Sequence, residues 1–197
     1  MSELLDKYKV LASYNCGSSI YGLEEDSSDK DITLIVEGND IGDIKTIDNV
    51  DYFIFSLDYL KKIISFDSSA FDTFKIWIDN LTLIDETLIS IEDNFKDEFY
   101  KTININWDDK FKEWLSLNIG YFKSRLEDGN FDKSLYHIYR LHSVVERYKS
   151  SGVFNDKDLK LADSYKKNKS ERYKHLDSLT KIIQYLEEQL WALLKSY

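Results

Sequence analysis

Two aspartates, Asp29 and Asp31, stand two positions apart just before an apolar run at residues 32–36. Alternate residues of a strand project from the same face of a sheet, so the two carboxylates would lie side by side. One or two carboxylates together with substrate phosphates form the usual protein site for Mg²⁺. The spacing therefore predicts a divalent-metal site where this strand begins.

A glycine and a serine, Gly17 and Ser18, lie upstream of the two aspartates with ten residues between Ser18 and Asp29. Glycine lets a phosphate approach the backbone closely. Ser18 offers a hydroxyl and an amide where a short helix is expected to start, and helix N-termini bind anions. The pattern predicts a phosphate site beside the metal site.

The same Asp-Lys-Asp tripeptide occurs again at residues 156–158, in a chain that contains 36 acidic residues. The second copy has no Gly-Ser before it and no apolar strand after it. We interpret the second copy as a solvated loop or a helix start. The sequence context of Asp29 and Asp31 therefore carries the prediction, and the spacing alone does not.

A third carboxylate would complete a two-metal site. Asp51 opens another apolar segment, at residues 51–56, and would project beside Asp29 and Asp31 if the two strands are neighbours. Asp48 precedes that segment and Asp58 follows it, so both are competitors. We favour Asp51.

Residues 8–57 carry the strand-like runs, and helical periodicity takes over after residue 57. The predicted strands are residues 9–15, 31–37 and 51–56, with a loop over 38–49. The predicted helices include residues 57–66 and 69–79, the second with a capping box at Ser69 and Asp72. Further helices follow from apolar stripes at Phe111, Leu115, Ile119, Phe122 and Leu126, at Leu135, Ile138, Val145 and Tyr148, and at Leu176, Leu179, Ile183, Leu186, Leu190 and Leu193.

This organisation predicts an α/β fold in which a small mixed sheet with helices on one side carries the site. Residues 1–105 would form the α/β domain and residues 106–197 a helical domain packed on it. We interpret the last apolar stripe as a core-facing helix, with a homodimer seam as the alternative. Trp77, Trp107, Trp114 and Trp191 are predicted to be core residues.

The composition narrows the class of protein. The formal net charge is −10, which excludes a protein coated with basic charge for nucleic acid. A single cysteine, Cys16, excludes an internal disulfide and fits a reducing compartment. Neither a signal peptide nor a membrane-spanning run is visible, so we expect a cytoplasmic protein.

The motif resembles the DNA polymerase β-type nucleotidyltransferase superfamily, and in particular a branch of predicted nucleotidyltransferases, some of them associated with RNA repair. That branch carries a Gly-Ser-x-x-Tyr-Gly-Leu…Ser-Asp-x-Asp signature. The matching residues are Gly17, Ser18, Tyr21, Gly22, Leu23, Ser28, Asp29 and Asp31. The resemblance is specific over residues 10–66. The position between the two aspartates is usually apolar or aromatic in the family, and here it is Lys30, a cation that would weaken metal binding by repulsion if it faced the metals.

The resemblance implies a nucleotidyltransferase core that binds an NTP with Mg²⁺ or Mn²⁺. Asp29 and Asp31 would hold the metal on the triphosphate, Asp31 and Asp51 the second metal, and Gly17 and Ser18, with Ser19, the phosphates. The acceptor hydroxyl would belong to an RNA or tRNA 3′ end, a protein side chain or a small molecule.

Several other residues have two interpretations. Tyr21 either stacks on a base or packs the short helix, and Ser28 orients Asp29 or binds the nucleotide. Arg140, with His137 on the same predicted helix face, either contacts the nucleotide or belongs to ordinary helix packing. Lys167 and Lys169, in the only dense basic cluster, either bind phosphates or lie in a solvated loop.

The leading function is transfer of a nucleoside monophosphate from an NTP to a hydroxyl. The alternatives are an antitoxin-like or inhibitory interaction module, or a nucleotide sensor, that keeps the fold with little turnover. The apolar seam of the last helix and Lys30 favour the interaction module.

Overall fold

Two units divide the chain, Met1–Ile105 and Asn106–Tyr197. The computed structural model describes residues 7–17, 20, 30–128, 131–151 and 176–195. The fold is α/β, with a mixed sheet in the first unit. This confirms the predicted fold class.

Strands and short helices alternate through the first unit. Its strands are β1 Val10–Cys16, β2 Lys30–Val36, β3 Gly42–Ile47, β4 Val50–Ser56 and β5 Leu88–Ile91. Its helices are α1 Leu57–Ile64, α2 Asp72–Lys75, a 3-10 helix Ile78–Leu83, α3 Ile84–Thr87 and α4 Lys96–Ile103. The three predicted strands are confirmed to within a residue or two as β1, β2 and β4.

The five strands form one sheet in the order β3-β4-β2-β1-β5. β2 and β4 pair in parallel, and every other pair in the sheet is antiparallel. Because β2 and β4 are parallel neighbours, their first residues lie at the same end of the sheet. The last residue of β1 lies at that end too, since β1 runs antiparallel to β2.

The predicted loop over residues 38–49 is wrong for Gly42–Ile47, which forms the edge strand β3. A two-residue turn connects β3 to β4, and both of its residues are left-handed, Asp48 at φ 51° and Asn49 at φ 60°. Positive φ at both central positions defines the tight hairpin turn whose twist matches that of the strands, and Asp and Asn tolerate it. Half of β3 is exposed, so its polar residues hide the strand signal.

Both faces of the sheet are packed. Leu34, Val36, Tyr52 and Ile54 form a buried cluster on one face. On the other face Tyr14 meets Phe99 of α4 at a ring distance of 6.4 Å, and Phe55 meets Phe74 of α2 at 4.8 Å. Helices therefore cover the face that carries the odd-numbered residues of β2 and β4.

Helix α1 begins at a buried serine. The Ser56 side chain accepts a hydrogen bond from the Tyr59 amide and so caps the helix. The predicted helix at residues 57–66 is confirmed over Leu57–Ile64.

The predicted capping box at Ser69 and Asp72 is wrong. Phe71 is the N-cap of α2, with no side-chain cap bond, and the Ser69 hydroxyl donates to Asp67 at 2.7 Å. The Ser69 amide donates to the same carboxylate at 2.8 Å. The local turn at Asp67 thus engages the serine, and the hydrogen bonds lower the pKa of Asp67.

Three long helices make up the described part of the second unit: α5 Trp107–Glu127, α6 Phe131–Ser151 and α7 Leu176–Lys195. The predicted stripe of α5 is buried at Phe111, Leu115, Ile119 and Phe122, and Ile183 and Leu186 of α7 are buried as well. Trp114 is fully buried, but the prediction for Trp191 is wrong, because that side chain is 62% exposed. Within the described residues, no helix has the length and apolar character that a membrane crossing requires.

Candidate active site

A row of four side chains crosses the sheet at the end where β2 and β4 begin. Thr46 of β3 is the register partner of Asp51, Asp51 is the partner of Asp31, and Asp31 is the partner of Cys16. Register partners on neighbouring strands lie on the same face, about 4.8 Å apart along the hydrogen-bonding direction. The structure thus places the two carboxylates next to each other, between a hydroxyl and a thiol.

The thiol of Cys16, at the end of the row, lies close enough to both carboxylates to be affected by their charges. Cys16 is buried and accepts a hydrogen bond from the Thr33 hydroxyl at 3.3 Å. Burial raises the pKa of the Cys16 thiol to about 12, and the charges of Asp31 and Asp51 both add to this rise. One sulfur therefore experiences both carboxylates, while the thiol itself stays protonated, as expected for a small buried residue.

The backbone turns directly beside Asp31. Gly17 follows β1 with φ +73°, a conformation that L side chains rarely adopt. A Cβ at this position would lie 1.8 Å from Oδ2 of Asp31 and 2.6 Å from its Cγ. Only glycine therefore lets the chain pass this carboxylate. The residues that follow it in the chain, Ser18 and Ser19, lie outside the described residues.

The donor set suits a hard divalent cation. Two adjacent carboxylates offer the oxygen ligands that Mg²⁺ and Mn²⁺ prefer. Within the described residues, no group of three or more histidine, cysteine, aspartate or glutamate side chains converges as a metal site. Asp29, the other aspartate of the predicted pair, lies outside those residues, two positions before Asp31.

Comparisons with known proteins add little to this geometry. No protein-family model and no curated protein matches the chain. Among solved structures, the chain is similar to a nucleotidyltransferase-like protein from Exiguobacterium sibiricum 255-15, with 12% identity and a TM-score of 0.32. The match covers 97% of this chain and 72% of the other. A similarity of this size does not indicate a function.

Lys30 stands between Asp29 and Asp31 in the sequence, and its position in the strand shows where it points. Lys30 pairs with Val50, which packs against the buried cluster on the opposite face. Successive residues of a strand project to opposite faces, so Lys30 points away from the face of Asp31 and Asp51. Lys30 is also exposed. Its ammonium therefore does not face the carboxylate pair.

The other predicted binding residues divide into two groups. Tyr21, Ser28, Lys167 and Lys169 lie outside the described residues. Arg140 lies in the second unit, on α6, where it is buried. His137, one turn earlier, is buried as well and stacks on Phe122 at a ring distance of 5.2 Å. The burial of both side chains agrees with the packing interpretation of this helix.

Thr46 is a site neighbour that the sequence prediction missed. Its Oγ1 donates a hydrogen bond to Oδ1 of Asp51 at 2.6 Å. The signal that would have found it is the Asp48-Asn49 pair, because a two-residue hairpin turn makes Ile47 pair with Val50 and hence Thr46 with Asp51.

Proposed function

We propose that the protein is a Mg²⁺-dependent nucleotidyltransferase that moves a nucleoside monophosphate from an NTP to an acceptor hydroxyl. The observation that carries this proposal is the side-by-side placement of Asp31 and Asp51, with Gly17 turning the chain against Asp31. The signature at residues 17–31 supports it.

Each residue of the site has a role in the proposed reaction. Asp31 and Asp51, with Asp29, would hold the divalent cation through their carboxylate oxygens. The bound cation would neutralise phosphate charge and lower the pKa of the acceptor hydroxyl. Ser18 and Ser19, which follow Gly17 in the sequence, would bind the triphosphate with backbone amides and hydroxyls. Tyr21 and Ser28 remain candidates for contacts to the base, the ribose or the phosphates.

The transfer itself is an in-line displacement. The acceptor oxygen forms a bond to the α-phosphorus while the bond to the oxygen that bridges the α- and β-phosphates breaks. Pyrophosphate leaves with that electron pair, and the acceptor's proton passes to solvent. In such reactions the protein mainly positions the reactants and compensates charge, which is what a paired carboxylate site on a rigid sheet provides.

The acceptor class follows partly from charge. The net charge of −10 repels a long RNA, so a short acceptor is favoured: a protein side chain, a small molecule, or a tRNA end held through Lys167 and Lys169.

The test is label transfer from each α-labelled NTP, with Mg²⁺ or Mn²⁺, to tRNA, lysate protein and small hydroxyl compounds. Asp31→Asn and Asp51→Asn keep the shape and remove the charge. We expect each to lower transfer about 100-fold or more, because metal stabilisation of transition-state charge amounts to several kcal/mol and about 1.4 kcal/mol is tenfold.

Asp48→Asn is the matched control. Asp48 is exposed at the hairpin turn, and asparagine tolerates its left-handed φ of 51°. Full activity in Asp48→Asn, with loss in the other two, would support the proposal. Equal activity in all three variants would contradict it. Nucleotide binding without any pyrophosphate release would favour the sensor instead.

A further inference from the structure

Thr46 lies next to the carboxylate pair, on the edge strand β3. In the strand order β3-β4-β2, Thr46 flanks Asp51 on one side and Asp31 flanks it on the other. The hydrogen bond from Thr46 Oγ1 to Asp51 Oδ1 is 2.6 Å long, within the range of a hydroxyl bound to a charged carboxylate. One oxygen of Asp51 is thereby engaged on the side away from Asp31.

The backbone of the β3–β4 hairpin fixes the contact between Thr46 and Asp51. The two-residue turn at Asp48 and Asn49 sets the register of β3 on β4, so Thr46 cannot slide past Asp51 without breaking the hairpin. Threonine is also β-branched and therefore stiff at χ1. Both side chains are accessible to water, so the hydrogen bond contributes orientation more than stability.

We propose that Thr46 is a positioning residue for the divalent cation: its hydroxyl fixes the rotamer of Asp51 so that the other carboxylate oxygen faces the cation shared with Asp31. This inference rests on the proposed function, because it assumes that the pair binds a cation. Hydrogen-bond partners that orient a metal's ligands typically account for 10- to 100-fold in affinity or activity. An accessible partner such as Thr46 belongs at the lower end.

The experiment measures Mn²⁺ binding to the full chain by electron paramagnetic resonance of the free ion. Thr46→Val removes the hydroxyl and keeps the shape, and valine suits an exposed edge strand, so the melting temperature should not change. Thr46→Ser keeps the hydroxyl. Thr102→Val is the control, because the Thr102 hydroxyl donates only to the Glu98 carbonyl on α4, at 2.9 Å. Asp31→Asn reports on the cation site itself.

We expect Thr46→Val to bind Mn²⁺ about 10-fold more weakly, with Thr46→Ser and Thr102→Val close to wild type. Transfer activity of Thr46→Val should return as the Mn²⁺ concentration rises, which shows an effect on metal affinity and not on folding.

Two outcomes would overturn the role of Thr46 alone, and two others would overturn the proposed site together with it. Wild-type affinity in Thr46→Val, while Asp31→Asn loses binding, refutes the role of Thr46 and leaves the proposed function intact. Weakening in Thr46→Ser equal to that in Thr46→Val shows that the hydroxyl is not responsible. A wild-type chain that binds no Mn²⁺, or an Asp31→Asn variant that binds as wild type, refutes the proposed site itself.

Discussion

Replacing Gly17 by alanine tests whether the Asp31 carboxylate keeps its position only because Gly17 has no side chain. The new Cβ would lie 1.8 Å from Asp31 Oδ2, and ordinary van der Waals contact begins at 3.4 Å. The carboxylate oxygen must therefore retreat by about 1.6 Å. Asp31 Cβ, at 2.8 Å from the new atom, leaves the side chain little freedom to rotate away.

Two magnitudes follow from that displacement. A misplacement of about 1 Å in a catalytic arrangement can cost about 100-fold in rate, so we expect transfer activity to fall by at least that factor. The left-handed φ of +73° adds about 1–2 kcal/mol of strain for alanine, which lowers the free energy of unfolding. The protein stays folded if its total stability is typical, about 5–15 kcal/mol.

The assay compares Gly17→Ala with Gly120→Ala, a matched control on α5. A Cβ at Gly120 meets nothing within 4 Å, so alanine there should stabilise the helix by about 0.5–1 kcal/mol. Label transfer and Mn²⁺ affinity are measured below the melting temperature of both variants. Wild-type activity and affinity in Gly17→Ala would refute the close approach of Gly17 to a functional Asp31.

Two further predictions concern buried polar groups of the first unit, Ser56 and Cys16. Ser56→Ala should lower the free energy of unfolding, measured in urea, by about 1–3 kcal/mol. The reason is that the fully buried Ser56 Oγ accepts hydrogen bonds from the Ile41 amide at 3.0 Å and from the Tyr59 amide at 3.3 Å. A change below about 0.5 kcal/mol would contradict the role of this cap. The Cys16 thiol, with its pKa raised from 9.0 to about 12, stays protonated in the folded chain while the unfolded chain loses the proton above pH 9. The contribution of the Cys16 thiol to the free energy of unfolding should therefore be complete below pH 9 and be lost between pH 9 and 12, by at most about 1.4 kcal/mol per pH unit. Cys16→Ala should reduce that dependence on pH in urea titrations without metal.

The sequence predicted those strands whose apolar residues are buried. β2 and β4 are mostly apolar after their first two residues, and such runs are typical of strands covered on both faces. β3 was missed because an edge strand with an exposed side needs few apolar residues. Its signal was the turn that follows, Asp48-Asn49, and not its own composition.

The candidate site was predictable in its residue types and less so in its geometry. Asp31 and Asp51 become neighbours only because β4 pairs directly with β2, although β3 lies between these strands in the sequence, and sequence spacing does not determine that pairing. Thr46 reaches Asp51 through the register of a hairpin, so its role becomes visible only once β3 is known. The Ser69 capping box failed for a local reason, since the Asp67 carboxylate, two residues earlier, competes for the same hydroxyl.

The cost of the carboxylate row argues that it serves function. Like charges directly opposite each other on neighbouring strands destabilise a sheet, and Asp31 and Asp51 occupy such a position. Lys30, the nearest cation in sequence, points to the other face and does not relieve the repulsion. A bound divalent cation would relieve it, and phosphates would then balance the cation's charge. The interaction-module alternative drew part of its support from Lys30 as a cation that impairs the site, and the strand register removes that support.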